Sequence, residues 1–165
     1  MENVAIFSLA PGAAFLALLM AWVFYRRILT LSEGNETMVE IAEAVRQGAR
    51  AYLRQQYRVV LLVFVVAFAF LAFLSFGLKV GSPWTPFAFL TGGFFSGLAG
   101  FIGMNTATLS SARTTHQART SLDKALTVAF RAGAVMGLVV VGLALVDITA
   151  WYLIQIGRAS CRERV

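Results

Sequence analysis

The chain has little of what soluble enzymes use for chemistry. It has one cysteine, Cys161, so no internal disulfide can form. It has one histidine, His116, and no HExxH or Cys/His spacing, so no zinc-type cluster can be assembled. No GxxxxGK loop is present to cradle a nucleotide. Acidic residues number eight against fourteen Lys and Arg, and between Val59 and Gln155 only Asp123 and Asp147 are acidic. Metal-assisted hydrolysis needs several carboxylates in one place, and this segment lacks them. No catalytic, substrate-binding or metal-ligating residue is therefore assigned. The formal net charge of +6 alone would suit a nucleic-acid partner. The arginines, however, flank apolar runs, so no nucleic acid is expected.

What is abundant is apolar sequence: 59% of residues are hydrophobic and mean hydropathy is +0.76. The stretch Val59–Leu78, VVLLVFVVAFAFLAFLSFGL, carries no charge and no proline. As a helix rising ~1.5 Å per residue it matches the thickness of a bilayer core. Fifteen of its residues are Leu, Phe or Val, and inserting them gains at most about 5–9 kcal/mol. A soluble helix of that length would need a polar face, and this one has none.

Three further apolar runs accompany it. Val4–Tyr25 contains Pro11-Gly12 and ends on Arg26-Arg27, with no positive segment before it of the kind a signal peptide needs. Phe87–Leu109 is glycine-rich: Gly92, Gly93, Gly97, Gly100 and Gly103, with Ser96 between, give small-xxx-small spacings that allow close helix approach. Val128–Ile154 repeats that spacing at Gly133 and Gly137 and ends in Trp151-Tyr152, suited to the interface belt, as is Trp84 in the turn Lys79–Pro86.

The hydrophilic segments fix an expected topology. In Ile28–Arg58, Ser32–Asn35 reads as a turn and Thr37–Glu40 as a capping box. Apolar residues then recur at helical spacing through Leu53, with Glu36, Glu40 and Glu43 at the start and Arg46, Arg50, Arg54 and Arg58 at the end. That order complements the helix dipole. No breaker precedes Val59, so one long helix should leave the membrane and continue into the cytoplasm. Ser110–Lys124 reads as a second hydrophilic loop. The first connector carries six arginines, the second only Lys79, and the third four Lys and Arg including Arg131. Connectors one and three should be cytoplasmic, and the N-terminus and connector two outside. The fold class is all-α: a polytopic cell-membrane protein with four transmembrane helices, the second extended into the cytoplasm.

The last ten residues, IGRASCRERV, are unlike the rest. One allowed coding of them matches translated sequencing-adapter read-through. Residues 1–155 are read as the membrane region, the N-terminal part of a larger protein, and 156–165 as a non-native tail.

Two segments carry a family resemblance: GNETMVEIAEAVRQGARAYLRQQYR at Gly34–Arg58, and GFIGMNTATLSSARTTHQARTSLDKALTVAFRAGAVMGLVVVGLAL at Gly100–Leu145. The chain resembles the N-terminal part of the membrane-bound, ion-translocating inorganic pyrophosphatases. The resemblance implies a homodimer with many more transmembrane helices and its N-terminus outside. It implies hydrolysis of cytoplasmic pyrophosphate with Mg²⁺, coupled to pumping of H⁺ or Na⁺. The family's acidic motifs, of the DxxADLVGK type, lie on later helices, so this fragment alone should be inactive. Leu109 and Ser111 stand where the family often has a basic residue and an asparagine. Asp147 falls in a stretch usually apolar and glycine-rich.

The remaining candidates read as structural. Arg46, Arg50, Arg54 and Arg58 form a juxtamembrane stripe that sets orientation, with anion or acidic-lipid binding as the alternative. Asp147 reads as interfacial and solvated rather than an ion relay. His116 reads as a solvated loop residue rather than a pH reporter. The Gly92–Gly103 ridge reads as helix packing rather than the border of an ion path, and Asn105 as an interhelical hydrogen-bonding residue. The alternative function, from a non-enzyme class, is a complete small four-span structural or assembly subunit. A small multidrug carrier is disfavoured, because no acidic residue lies at mid-membrane depth.

Overall fold

A computed structural model describes residues 2–78 and 83–162, with side chains described for 9–78 and 83–154. Four long helices follow one another: α1 (Glu2–Leu29), α2 (Glu36–Ala72), α3 (Thr85–Ala118) and α4 (Leu122–Arg162). Each is long and apolar enough to cross a membrane. The tail 156–165 and Lys79–Ser82 of the second connector fall outside the described side chains.

The helix ends follow local chemistry. α1 runs straight through Pro11 and finishes on Arg26 and Arg27, which favour its C-terminal dipole. α2 starts at Asn35, whose extended backbone lets Oδ1 accept from the Met38 N–H at 3.1 Å. The expected capping box at Thr37 is therefore corrected: Thr37 is already inside the helix, and the asparagine before it takes the cap. α2 continues without a break across the Arg58–Val59 boundary, so the long helix read from the sequence is present. Its far end widens into a π-helical turn, Phe73–Gly77, closed by Leu78 N–H to Phe73 O at 3.2 Å.

The second hydrophilic loop is corrected too. Most of Ser110–Lys124 is helical, because α3 runs on to Ala118 and only 119–121 form the turn. The polar residues there satisfy themselves within the helix. Ser110, Ser111 and Thr115 each donate a hydroxyl to a carbonyl three or four residues back, at 3.0 Å. Polarity alone did not end the helix, and no glycine or proline occurs between Ser110 and Ala118 to do so.

The helices pack in the spatial order α1, α4, α3, α2. α4 lies between α1 and α3, and α2 packs along α3. The core is shared by α1, α3 and α4 through Ala21, Ile28, Ala99, Val135 and Val139. On α1 the small buried residues Ala14 and Ala21 face α4. A Cβ at Gly142 would lie 2.8 Å from Leu18 and 3.4 Å from the Ala14 carbonyl, so that glycine sets the close α1–α4 approach. Outward surfaces are apolar, as a lipid-solvated protein requires: Leu62 is 68% exposed and Phe70 61%.

Candidate functional site

The densest polar structure lies where the ends of α1 and α3 meet the start of α2. Its centre is the α1–α2 connection. Gly34 has φ +106°, a left-handed conformation that side chains rarely adopt. A Cβ there would also lie 2.5 Å from Met38 Sδ and 3.1 Å from His116 Nδ1. The tight turn presents Glu33 inward, between two arginines. Glu33 Oε1 forms an ion pair with Arg113 Nη1 at 2.8 Å, and Glu33 Oε2 accepts from Arg46. Arg113 also donates through Nε to the Leu31 carbonyl at 3.0 Å and through Nη1 to the Leu109 carbonyl at 2.5 Å. Arg46 donates to Glu43 at 3.0 Å, and Arg50 lies 3.9 Å from the other Glu43 oxygen.

The side chains of Arg113, Arg46 and Glu33 are only 9%, 14% and 16% exposed, so water screens these pairs little. Arg46 lies on the extension of α2 beyond its membrane-spanning part. Burial opposes its charge, but hydrogen bonds and attraction from Glu33, then from Glu43, outweigh that, and its pKa is raised above the ordinary arginine value. Both Glu33 oxygens are occupied by guanidinium groups. The junction fastens the connection to α2 and α3.

Several sequence expectations change here. Arg46 belongs to this junction and not to a free stripe, whereas Arg50, Arg54 and Arg58 are exposed as expected. His116 is not a solvated loop residue. It sits on α3, half-buried beside the Gly34 turn, and its Nδ1 is buried without a partner. Asp147 is not simply solvated at the interface. It is half-buried, and its Oδ2 would lie 3.4 Å from a Cβ on Gly92, in a groove between α3 and α4 that also includes Ser96 and Gly100. Asn105 lines a cavity of about 400 Å³ among α1, α3 and α4. Glu33 and Arg113 were not singled out by sequence reading. Their one signal is the unbroken helical run after Ser110, which carries Arg113 back onto the bundle.

The glycine ridge is a packing surface, but it receives side chains more than backbone. Phe64 of α2 fills the hollow at Gly93, and Tyr57 covers Gly97 and Gly100. Gly103 admits Met136 of α4. Gly133 and Gly137 have nothing within 4 Å of a notional Cβ, so their spacing makes no contact within the described residues. The Tyr57 hydroxyl donates to the Gly97 carbonyl at 2.5 Å. Tyr57→Phe should therefore cost about 0.6–1.7 kcal/mol, the range for interhelical hydrogen bonds in membranes, read as a lower midpoint in unfolding by denaturing detergent. At the other end of the bundle Trp151 Nε1 donates to Thr91 Oγ1 at 2.7 Å, joining α4 to α3.

Among the described residues no three of His, Cys, Asp and Glu come together to hold a metal ion. The Mg²⁺ implied by the resemblance finds no fitting donor set among them.

Four long apolar helices packed through glycine hollows, with their polar junction at one end, define an integral membrane protein of polytopic helical type. The sequence profile of the family described as inorganic H⁺ pyrophosphatase matches residues 15–164. The chain belongs to that family. A Bacteroides thetaiotaomicron protein, provisionally named a K⁺-stimulated pyrophosphate-energized sodium pump, is 53% identical over 149 residues, covering 90% of this chain and 20% of the relative. K⁺-insensitive pyrophosphate-energized proton pumps of Methanosarcina mazei and Moorella thermoacetica are each 40% identical, covering 88% and 89% of this chain and 21% of the relatives. The chain thus spans about a fifth of the length of these relatives.

Proposed function

We propose that this chain is the N-terminal part of a pyrophosphate-energised ion pump of the cell membrane. The intact protein would couple hydrolysis of Mg–pyrophosphate in the cytoplasm to outward movement of H⁺ or Na⁺, and act as a homodimer. The observation that carries this reading is 53% identity, sustained over 90% of the chain, to a protein named as such a pump. The four helices described here would form a supporting wall. Their carboxylates are too dispersed, or too fully paired, to bind pyrophosphate with its metal. The N-terminus lies outside, and the Glu33 junction faces the cytoplasm. That orientation is supported by the arginines of the first and third connectors. Residues 156–165 are a non-native tail, a reading supported by their composition.

The experiment is to read the locus past Gln155 and express what it encodes in membrane vesicles. Pyrophosphate added on the cytoplasmic face should drive H⁺ or Na⁺ across the membrane. The 165-residue chain alone should release no phosphate. A stop codon near Gln155 outside adapter sequence, or a long product without pyrophosphatase activity, would reject the reading. Orientation has its own test. With Cys161 replaced by serine, a cysteine at position 82 should react with an impermeant thiol reagent outside the cell, and one at position 115 only after permeabilisation. The reverse pattern would invert the topology.

A further inference from the structure

Lys124 and Arg131 lie seven residues apart on one face of α4, about 10 Å along its axis. Both line a groove of about 410 Å³ bounded by Gln117 near the end of α3 and by Leu31 of the α1–α2 connection. Among the described residues neither cation is in an ion pair; the ion pairs there all belong to Arg46, Arg50 and Arg113. Asp123 lines the same groove, and Thr127 directs its hydroxyl to the Asp123 carbonyl at 2.8 Å. The groove therefore carries one unbalanced positive charge on an open, shallow surface.

We propose that this groove holds the headgroup of an anionic phospholipid, its phosphodiester shared between Lys124 and Arg131. Depth and charge both favour a lipid. The apolar run of α4 begins at Val128, so Lys124 stands just outside the membrane boundary and Arg131 one turn inside it. Their side chains straddle the level of lipid phosphates, and the longer guanidinium can reach back toward it. Beside Arg131 the helix offers bare apolar surface to acyl chains: Phe130 is 78% exposed and Val141, on the same face, 53%. Several other exposed cations are placed differently. Arg26 lies over the Trp22 ring at 5.1 Å, Arg50 is near Glu43, and Arg54 and Arg58 are exposed on α2. The inference does not depend on the pump reading, because it concerns which lipid the protein retains.

The test uses the full-length protein carrying this segment, purified in a zwitterionic detergent. It is titrated with phosphatidylglycerol and separately with phosphatidylcholine, and bound lipid is counted by native mass spectrometry. Lys124→Gln with Arg131→Gln should weaken one tight phosphatidylglycerol about thirtyfold and leave phosphatidylcholine unchanged. Asp123→Asn should tighten it about fivefold, an effect that damage to the fold does not produce. Equal retention of both lipids by the unaltered protein overturns the proposal, as does unchanged phosphatidylglycerol binding by the double variant or weaker binding by Asp123→Asn. Displacement of the lipid by millimolar inorganic phosphate also overturns it, since the groove would then be a site for the free ion.

Discussion

Replacing Gly93 by valine should detach α2 from α3. A Cβ at this position would fall 1.6 Å from Phe64 Cζ and within 2.5 Å of both neighbouring ring carbons. The ring has little freedom to retreat, because it stacks on Phe89 with centroids 4.4 Å apart and planes 14° from parallel. Either the helices separate, losing the Tyr57–Gly97 hydrogen bond as well, or Phe64 swings out and gives up its packing. Overpacking of this kind costs about 1–3 kcal/mol, and Phe64 is half-buried, so it has packing to lose as well. A loss of about 3 kcal/mol is expected in detergent unfolding. Phe64→Ala in the same chain should restore part of it, with a coupling of about 0.5–3 kcal/mol in a double-mutant cycle. Independent, additive losses would show that Phe64 does not occupy the Gly93 hollow.

Glu33→Gln should destabilise the chain most among charge changes, by about 3–5 kcal/mol, because it removes the carboxylate paired with buried Arg113 and one of the two carboxylates paired with Arg46. Arg113→Met should cost less than Glu33→Gln. It leaves Glu33 still paired with Arg46, although the Leu31 carbonyl loses its donor. Arg113→Lys should not restore stability, since an ammonium cannot hold Glu33 and two backbone carbonyls from one planar fork. The loss should change little as salt is raised, as expected for pairs with so little water around them. A Glu33→Gln midpoint equal to that of the unaltered protein, or a loss abolished by salt, would contradict a buried junction.

The sequence carried the helices and their solvent plainly. Val59–Leu78 has no polar face, and the acid-to-base order from Glu36 to Arg58 continues into it without a breaker, so the long α2 was legible. The glycine ridge was legible as packing, though not that Tyr57 and Phe64 would fill it. The junction was not legible. Glu33 sits in a Ser-Glu-Gly-Asn turn where any polar residue would serve, and its partner Arg113 is eighty positions away in a serine- and threonine-rich stretch that looks like a loop. Hydroxyl groups that bond their own helix leave no periodic apolar trace. Asp147 was misjudged for a related reason: its environment depends on the missing side chain at Gly92, on another helix.

The spatial order of the helices has a consequence for biosynthesis. α1 and α2 are neighbours along the chain, but α1 finds its main partner in α4. At about 5–20 residues per second of translation, α1 waits several seconds in the lipid, while α2 and α3 emerge, before its groove around Ala14 and Ala21 can be filled. During that interval the Glu33 clamp cannot close either, because Arg113 has not yet left the ribosome. Until the fourth helix arrives, the first must rest on lipid alone, which its apolar surface and internally bonded backbone allow.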